Sequence, residues 1–151
     1  MDLILWRHAE AEDGTGKPDL ERELTKHGRK QAEAMAQWLK PRLPARCRIL
    51  ASPAKRTLQT AEALGAKFET DKRVSTDAST RSVLAAAGWP DGEGAVLLVG
   101  HQPTLGEVAA ELLGAGEGLG IPKGAIWWFA NKGSGTETKL VAVMKPELAK
   151  N

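Results

Sequence analysis

The sequence predicts an α/β fold, a three-layer sandwich with a mostly parallel central sheet, one antiparallel strand, and helices on both faces. Three observations carry that reading. Short apolar runs of strand length alternate with capped helical patterns, the signature of a parallel sheet with crossover helices. The strongest run, AVLLVG at 95–100, has nothing polar inside it, as a strand covered on both faces should. The last two apolar runs are separated by little more than NKGSG, a hairpin-like connection with two glycines.

Taken in order, LILW at 3–6 reads as a buried strand. Thr25 can cap a helix running to about Lys40, with Ala32, Met35, Ala36 and Leu39 on one face and Pro41 beyond its end. RILAS at 48–52 is a second strand. Ser52-Pro53 reads as a cap followed by a proline at the first helical position, with Gly65 closing that helix. A third helix covers 80–87, and a fourth starts at Pro103 and stops at Gly114. AIWWFA at 125–130 and TKLVAVM at 138–144 complete the strands, and their short connection predicts one antiparallel pairing. The tail KPELAKN reads as a frayed end.

Composition bounds the function. A chain of 151 residues suits a single domain, taken as 1–151, and 42% apolar with 26% charged residues is an ordinary globular balance. The formal net charge of +2 gives no nucleic-acid or membrane footprint. Cys47 is the only cysteine, which fits a reducing cytoplasm, and the apolar opening is too short for a signal peptide. A cytoplasmic monomer is the expectation.

The chemistry gathers at strand ends. In such a sheet, ligands bind outside the carboxyl ends of the parallel strands. The first strand ends on Arg7-His8, the second leads into a helix whose first turn holds Arg56, and the AVLLVG run ends on His101. Two arginines and two histidines therefore converge on one rim, where helix amino termini would add N–H donors. Arginine suits a tetrahedral oxyanion because its planar fork grips two oxygens. Imidazole can serve as nucleophile or proton donor near neutrality. No third ligand stands at metal spacing beside the histidines, so no metal is expected.

The segments LWRHAEAE, ERELTKHGRKQA, LASPAKRTLQTAE and LLVGHQPTLGEVA occur in the order and spacing of the histidine phosphatase superfamily. Together they resemble its short bacterial branch, the SixA-type phosphohistidine phosphatases, over essentially the whole chain. The resemblance implies the phosphoglycerate mutase-like version of the fold and no cofactor. It implies His8 as the nucleophile that becomes phosphohistidine, and Arg7, Arg56 and His101 as the pocket that holds the phosphoryl oxygens. Arg22 matches a phosphate-binding position near that pocket. The neighbouring arginines are expected to depress the pKa of His8. A protonated His101 beside a neutral His8 would give a bell-shaped pH profile.

Two departures bear on substrate. Ala9 stands where much of the superfamily has glycine, which the short branch tolerates. Larger members also supply a carboxylic acid for the leaving oxygen, and here the stretch VSTDASTRSVL offers only Asp77, which reads more readily as a loop or cap residue. A weak or absent acid favours phosphohistidine, which can leave as neutral imidazole, over an alkyl ester, which must expel an alkoxide. The expected partner is thus a phosphorylated histidine-containing protein domain. A small-molecule phosphomonoesterase and a non-catalytic phosphoprotein-binding module are the alternatives. Finally, Glu10, Glu12, Asp13, Asp19, Glu21 and Glu23 crowd the loop after His8. They suggest either a solvated surface or an acidic rim that repels polyanions.

Overall fold

The structure, a computed structural model, describes residues 1–133 and 135–150. Its centre is strand β1 (Asp2–Arg7), whose Leu3, Ile4, Leu5 and Trp6 are fully buried. In chain order follow α1 (Lys26–Leu39), β2 (Cys47–Ala51), α2 (Lys55–Glu62), β3 (Glu69–Thr70) and α3 (Thr80–Ala87). Then come β4 (Ala95–Gly100), α4 (Thr104–Leu113), β5 (Ile126–Ala130), β6 (Lys139–Met144) and α5 (Pro146–Ala149). The strands form one sheet in the order β3-β2-β4-β1-β5-β6. Pairings among β1 to β4 are parallel. Only β5 runs against the rest, and it pairs antiparallel with both β1 and β6. One reversed strand therefore makes two antiparallel pairings, where the sequence predicts one, because β5 inserts between β1 and β6.

Successive strand residues face opposite sides, and the core divides accordingly. Leu3, Leu5, Leu50, Val96 and Leu98 pack with Val83 of α3 and Val108 of α4. Ile4, Trp6, Ile49, Leu97 and Val99 pack with Met35 and Leu39 of α1 and Ala61 of α2. Trp127 and Trp128 split the same way, both packed, with Trp128 Nε1 donating to Asp2 Oδ2 at 2.8 Å.

Thr25 caps α1 as its sequence suggests, its hydroxyl accepting from the Gly28 N–H at 2.9 Å. Gly88 and Gly114 end α3 and α4 at φ of 72° and 70°, a region glycine enters without a Cβ penalty. Helix α2 departs from expectation, starting at Lys55 with Ala54 rather than Ser52 at its cap. Ser52 is engaged elsewhere, 2.7 Å from His101 Nε2. The tail is not frayed over 146–149, where buried Pro146 starts α5 and the helix packs on α1. Of the connection between β5 and β6, Ser134 lies outside the described residues, as does Asn151 of the tail. No helix among the described residues is long and apolar enough to cross a membrane.

Candidate active site

Because β4 lies between β2 and β1, three parallel strands deliver their carboxyl ends side by side. The ladder continues one step past each end. The His8 N–H donates to Gly100 O at 3.1 Å, and the Ser52 N–H to Val99 O at 3.1 Å. On its other side, His8 O accepts from the Gly124 N–H at 2.9 Å. His8 is thus pinned by backbone on both flanks. A cavity of about 200 Å³ opens here, with Arg7, His8, Arg22, Arg56 and His101 all in its wall. The wall brings together the two histidines and three arginines that the sequence points to for this site.

The tautomer of His8 is fixed. Its Nδ1 lies 2.7 Å from the Ala9 carbonyl oxygen, which can only accept, so Nδ1 carries the proton and Nε2 keeps its lone pair. Burial is the main force on its titration, pushing the imidazole down to about 4 even though the Ala9 bond favours the charged form. The charges of Arg56, Arg7 and Arg22 add to that push. The arginine effect expected from sequence is therefore present but secondary to desolvation. Ala9 itself is fully buried, and its N–H donates to Thr60 Oγ1 at 3.1 Å.

The arginines are held by backbone carbonyls and by one carboxylate. Arg7 Nη1 donates to Ile121 O at 2.9 Å. Arg56, only 3% exposed, donates from Nη1 to Asp19 O at 2.8 Å and from Nη2 to Asp19 Oδ2 at 3.1 Å. Arg22 donates to Asp19 Oδ1 at 3.1 Å through Nε, and to Glu12 O at 2.9 Å through Nη1. Burial lowers the pKa of Arg7 and Arg56, yet a guanidinium stays charged at neutral pH. Arg7 Nε, Arg56 Nε and His101 Nδ1 are buried without a hydrogen-bond partner among the described residues. Unpaired buried donors are uncommon and call for an explanation. Three of them bordering one cationic cavity are donors suited to an anion.

His101 is the other imidazole. Its Nε2 lies 2.7 Å from Ser52 Oγ, which also receives the Ala54 N–H at 3.3 Å. When the Ser52 hydroxyl donates to Nε2, the imidazole proton lies on Nδ1, facing the cavity side that has no protein acceptor among the described residues. Burial, then the charges of His8 and Arg56, press His101 down to about 3. It is neutral in the free site, so the protonated His101 that a bell-shaped profile would need is absent there. Helix termini contribute less than expected, because the Leu105 and Gly106 N–H groups of α4 already bond His101 O and Gln102 Oε1. The grip falls to side chains.

The wall also contains Asp19, Thr76, Gln102 and Lys123, which the sequence did not single out as cavity residues. Gln102 had a signal, lying next to His101 before a helix-starting proline. It clamps the loop before β5, donating to Leu119 O at 2.9 Å. Gly106 makes room for that carbonyl, since a methyl there would run into it. Asp77 is exposed in a turn and absent from the wall, while its neighbour Thr76 reaches it. Nor do the acidic residues form a rim. Glu12 pairs with Lys17 at 2.7 Å and Glu10 accepts from Thr25 Oγ1 at 2.8 Å, so of that loop's carboxylates only Asp19 lines the cavity.

Against this geometry, the family model for histidine phosphatase superfamily (branch 1) matches residues 3–82. This chain belongs to the histidine phosphatase superfamily. Within the superfamily, it is 34% identical over 129 residues to the phosphohistidine phosphatase SixA homolog of Haemophilus influenzae, covering 76% of this chain and 78% of that one. The structure of the protein histidine phosphatase SixA complexed with tungstate superposes with a TM-score of 0.80 at 26% identity, covering 99% of this chain and 100% of the other. Phosphoserine phosphatase of Entamoeba histolytica, complexed with 3-phosphoglyceric acid, shares the fold at a TM-score of 0.71 and 19% identity, covering 94% of this chain and 95% of that one. Six strands in one mostly parallel sheet with helices on both faces are thus the histidine phosphatase fold.

Proposed function

We propose that this histidine phosphatase removes the phosphoryl group from phosphorylated histidine in proteins, by way of a phosphoenzyme on His8 Nε2. One observation carries the reading: the Nδ1–H of His8 is held by Ala9 O, so a neutral ring with a free Nε2 lone pair stands in a wall of guanidiniums. In the first step Nε2 forms a bond to phosphorus while the substrate's P–N bond breaks. The electron pair of that bond returns to the substrate imidazole, which leaves neutral if its other nitrogen is protonated. In the second step the oxygen of water attacks phosphorus and the P–Nε2 bond breaks, releasing inorganic phosphate. His8 keeps its Nδ1 proton throughout, so its ring is itself a good leaving group. Arg7, Arg22, Arg56 and the His101 Nδ1–H stabilise charge spread over the phosphoryl oxygens.

The leaving group decides the substrate class. Asp19 is the only carboxylate in the wall among the described residues. Burial works against its ionisation, but hydrogen bonds and charge from Arg56, then Arg22, outweigh this and hold its carboxyl below the ordinary range. A carboxylate so held is a poor acid for an alkoxide, and a neutral imidazole needs none. The cavity, at about 200 Å³, is also smaller than the roughly 300–1,000 Å³ of typical small-molecule sites, which suits a phosphoryl group whose carrier stays outside. The names of SixA relatives point the same way.

The test is to offer the protein a phosphorylated histidine-containing domain beside a panel of alkyl and sugar phosphates. Rapid loss of phosphohistidine, with acid-labile phosphate trapped on His8, supports the reading. Faster turnover of the esters would replace it with a small-molecule phosphomonoesterase.

A further inference from the structure

Asp19 shares the cavity wall with four cationic side chains, Arg7, Arg22, Arg56 and Lys123. Its hydrogen bonds divide between Arg22 and Arg56. Oδ1 accepts from Arg22 and Oδ2 from Arg56, each at 3.1 Å, while its carbonyl takes the second Arg56 donor at 2.8 Å. The Arg56 side chain is 4% exposed and that of Asp19 is 57% exposed. An isolated surface pair of this kind contributes little. Here one carboxylate instead spans a buried guanidinium and a second one, both bordering the cavity.

We propose that Asp19 is a positioning residue and the resident counter-ion of this site, holding the Arg22 and Arg56 forks when it is empty and limiting how tightly it retains inorganic phosphate. The inference rests on reading the cavity as a phosphoryl site. A buried guanidinium without a partner is costly, so Arg56 needs a fixed acceptor between turnovers. Three arginines and a lysine would also retain a phosphate product strongly. A fixed negative charge a few ångströms away opposes that retention and speeds release.

The test titrates inorganic phosphate into the intact protein by calorimetry, at low and high salt, for the native chain and the variants Asp19→Asn and Asp19→Glu. Removing a unit charge at this range should tighten phosphate binding roughly tenfold in Asp19→Asn at low salt, and the gap should narrow as salt rises. With a phosphohistidine substrate, kcat and KM should fall together in Asp19→Asn as product is retained. Asp19→Glu, which keeps the charge, should bind phosphate much as the native chain does. Unchanged or weaker phosphate binding in a folded Asp19→Asn protein would reduce Asp19 to a structural prop and overturn the proposal. If the native chain itself binds no phosphate, the reading of the cavity falls, and this inference with it.

Discussion

The rings of His8 and His101 lie 5.4 Å apart, centroid to centroid, tilted by 57°. Burial drives both rings far below their ordinary values, His8 to about 4 and His101 to about 3, and the charge of His8 adds to the push on His101. Since both folded values lie below the unfolded one of 6.5, the unfolded chain binds more protons as the pH drops. The stability is complete above pH 6.5 and is lost progressively as pH falls toward about 4. For His8 alone the loss should be on the order of 3 kcal/mol. Urea unfolding at about pH 7 and about pH 4.5 reads the combined loss from both rings, and His8→Asn should remove the His8 share of it.

The same values set the activity profile. A nucleophile with an ordinary pKa would lose half its neutral form near pH 6.5. His8 stays neutral down to about 4, so kcat/KM should be level across the range in between. A clear acid limb centred near 6.5 in the folded enzyme would contradict the burial of this ring.

His8→Ala removes the atom proposed to carry the phosphoryl group. Turnover should fall by roughly 10⁴–10⁶-fold with the melting temperature little lowered. No acid-labile phosphate should remain on the quenched variant.

Arg56→Lys tests the fork. Arg56 bonds Asp19 through two different nitrogens while its Nε remains unpaired, a geometry that a single ammonium does not reproduce. Turnover should drop by roughly 10²–10³-fold, near the loss for alanine. Near-native turnover would show that charge alone suffices.

Gly106→Ala reaches the site from a distance. The new methyl would meet the Leu119 carbonyl, displacing a loop that also supplies Ile121 O to Arg7 and Gly124 to His8. Overpacking of this kind destabilises by about 1–3 kcal/mol. The melting temperature and kcat/KM should fall together, and an unchanged kcat/KM would mean the loop does not position Arg7.

The fold was readable where one signal dominated. Leu3 to Trp6 and Ala95 to Gly100 are apolar throughout because helices cover both faces of the sheet at these strands, and Thr25 and Gly114 mark helix ends by chemistry local to themselves. Strand β3 has two residues, both exposed, so periodicity had nothing to register. Helix α5 is four residues among charges, and its anchoring proline is visible only in three dimensions. At the site, Arg7, His8, Arg56 and His101 are legible because each ends or closely trails a parallel strand. Asp19 is one of six acids in its loop, nothing local distinguishes it from Glu21, and only the fold of the loop brings it to Arg56. Ser52, a serine before proline, carries the local signature of a helix cap, whereas its pairing with His101 spans 49 positions of sequence.

The order of strands has a consequence for synthesis on the ribosome. Arg7, His8, Arg22 and Arg56 all emerge early, but β1 and β2 are not neighbours, and β4 must slide between them before their ends stand at one rim. Arg7 further waits for Ile121, and His8 for Gly124. A nascent chain therefore exposes its strongest anion-binding side chains well before it can shape a pocket from them. Catalytic competence should arrive late and abruptly in the life of each new molecule, once the segment that carries Ile121 and Gly124 has followed β4 into place.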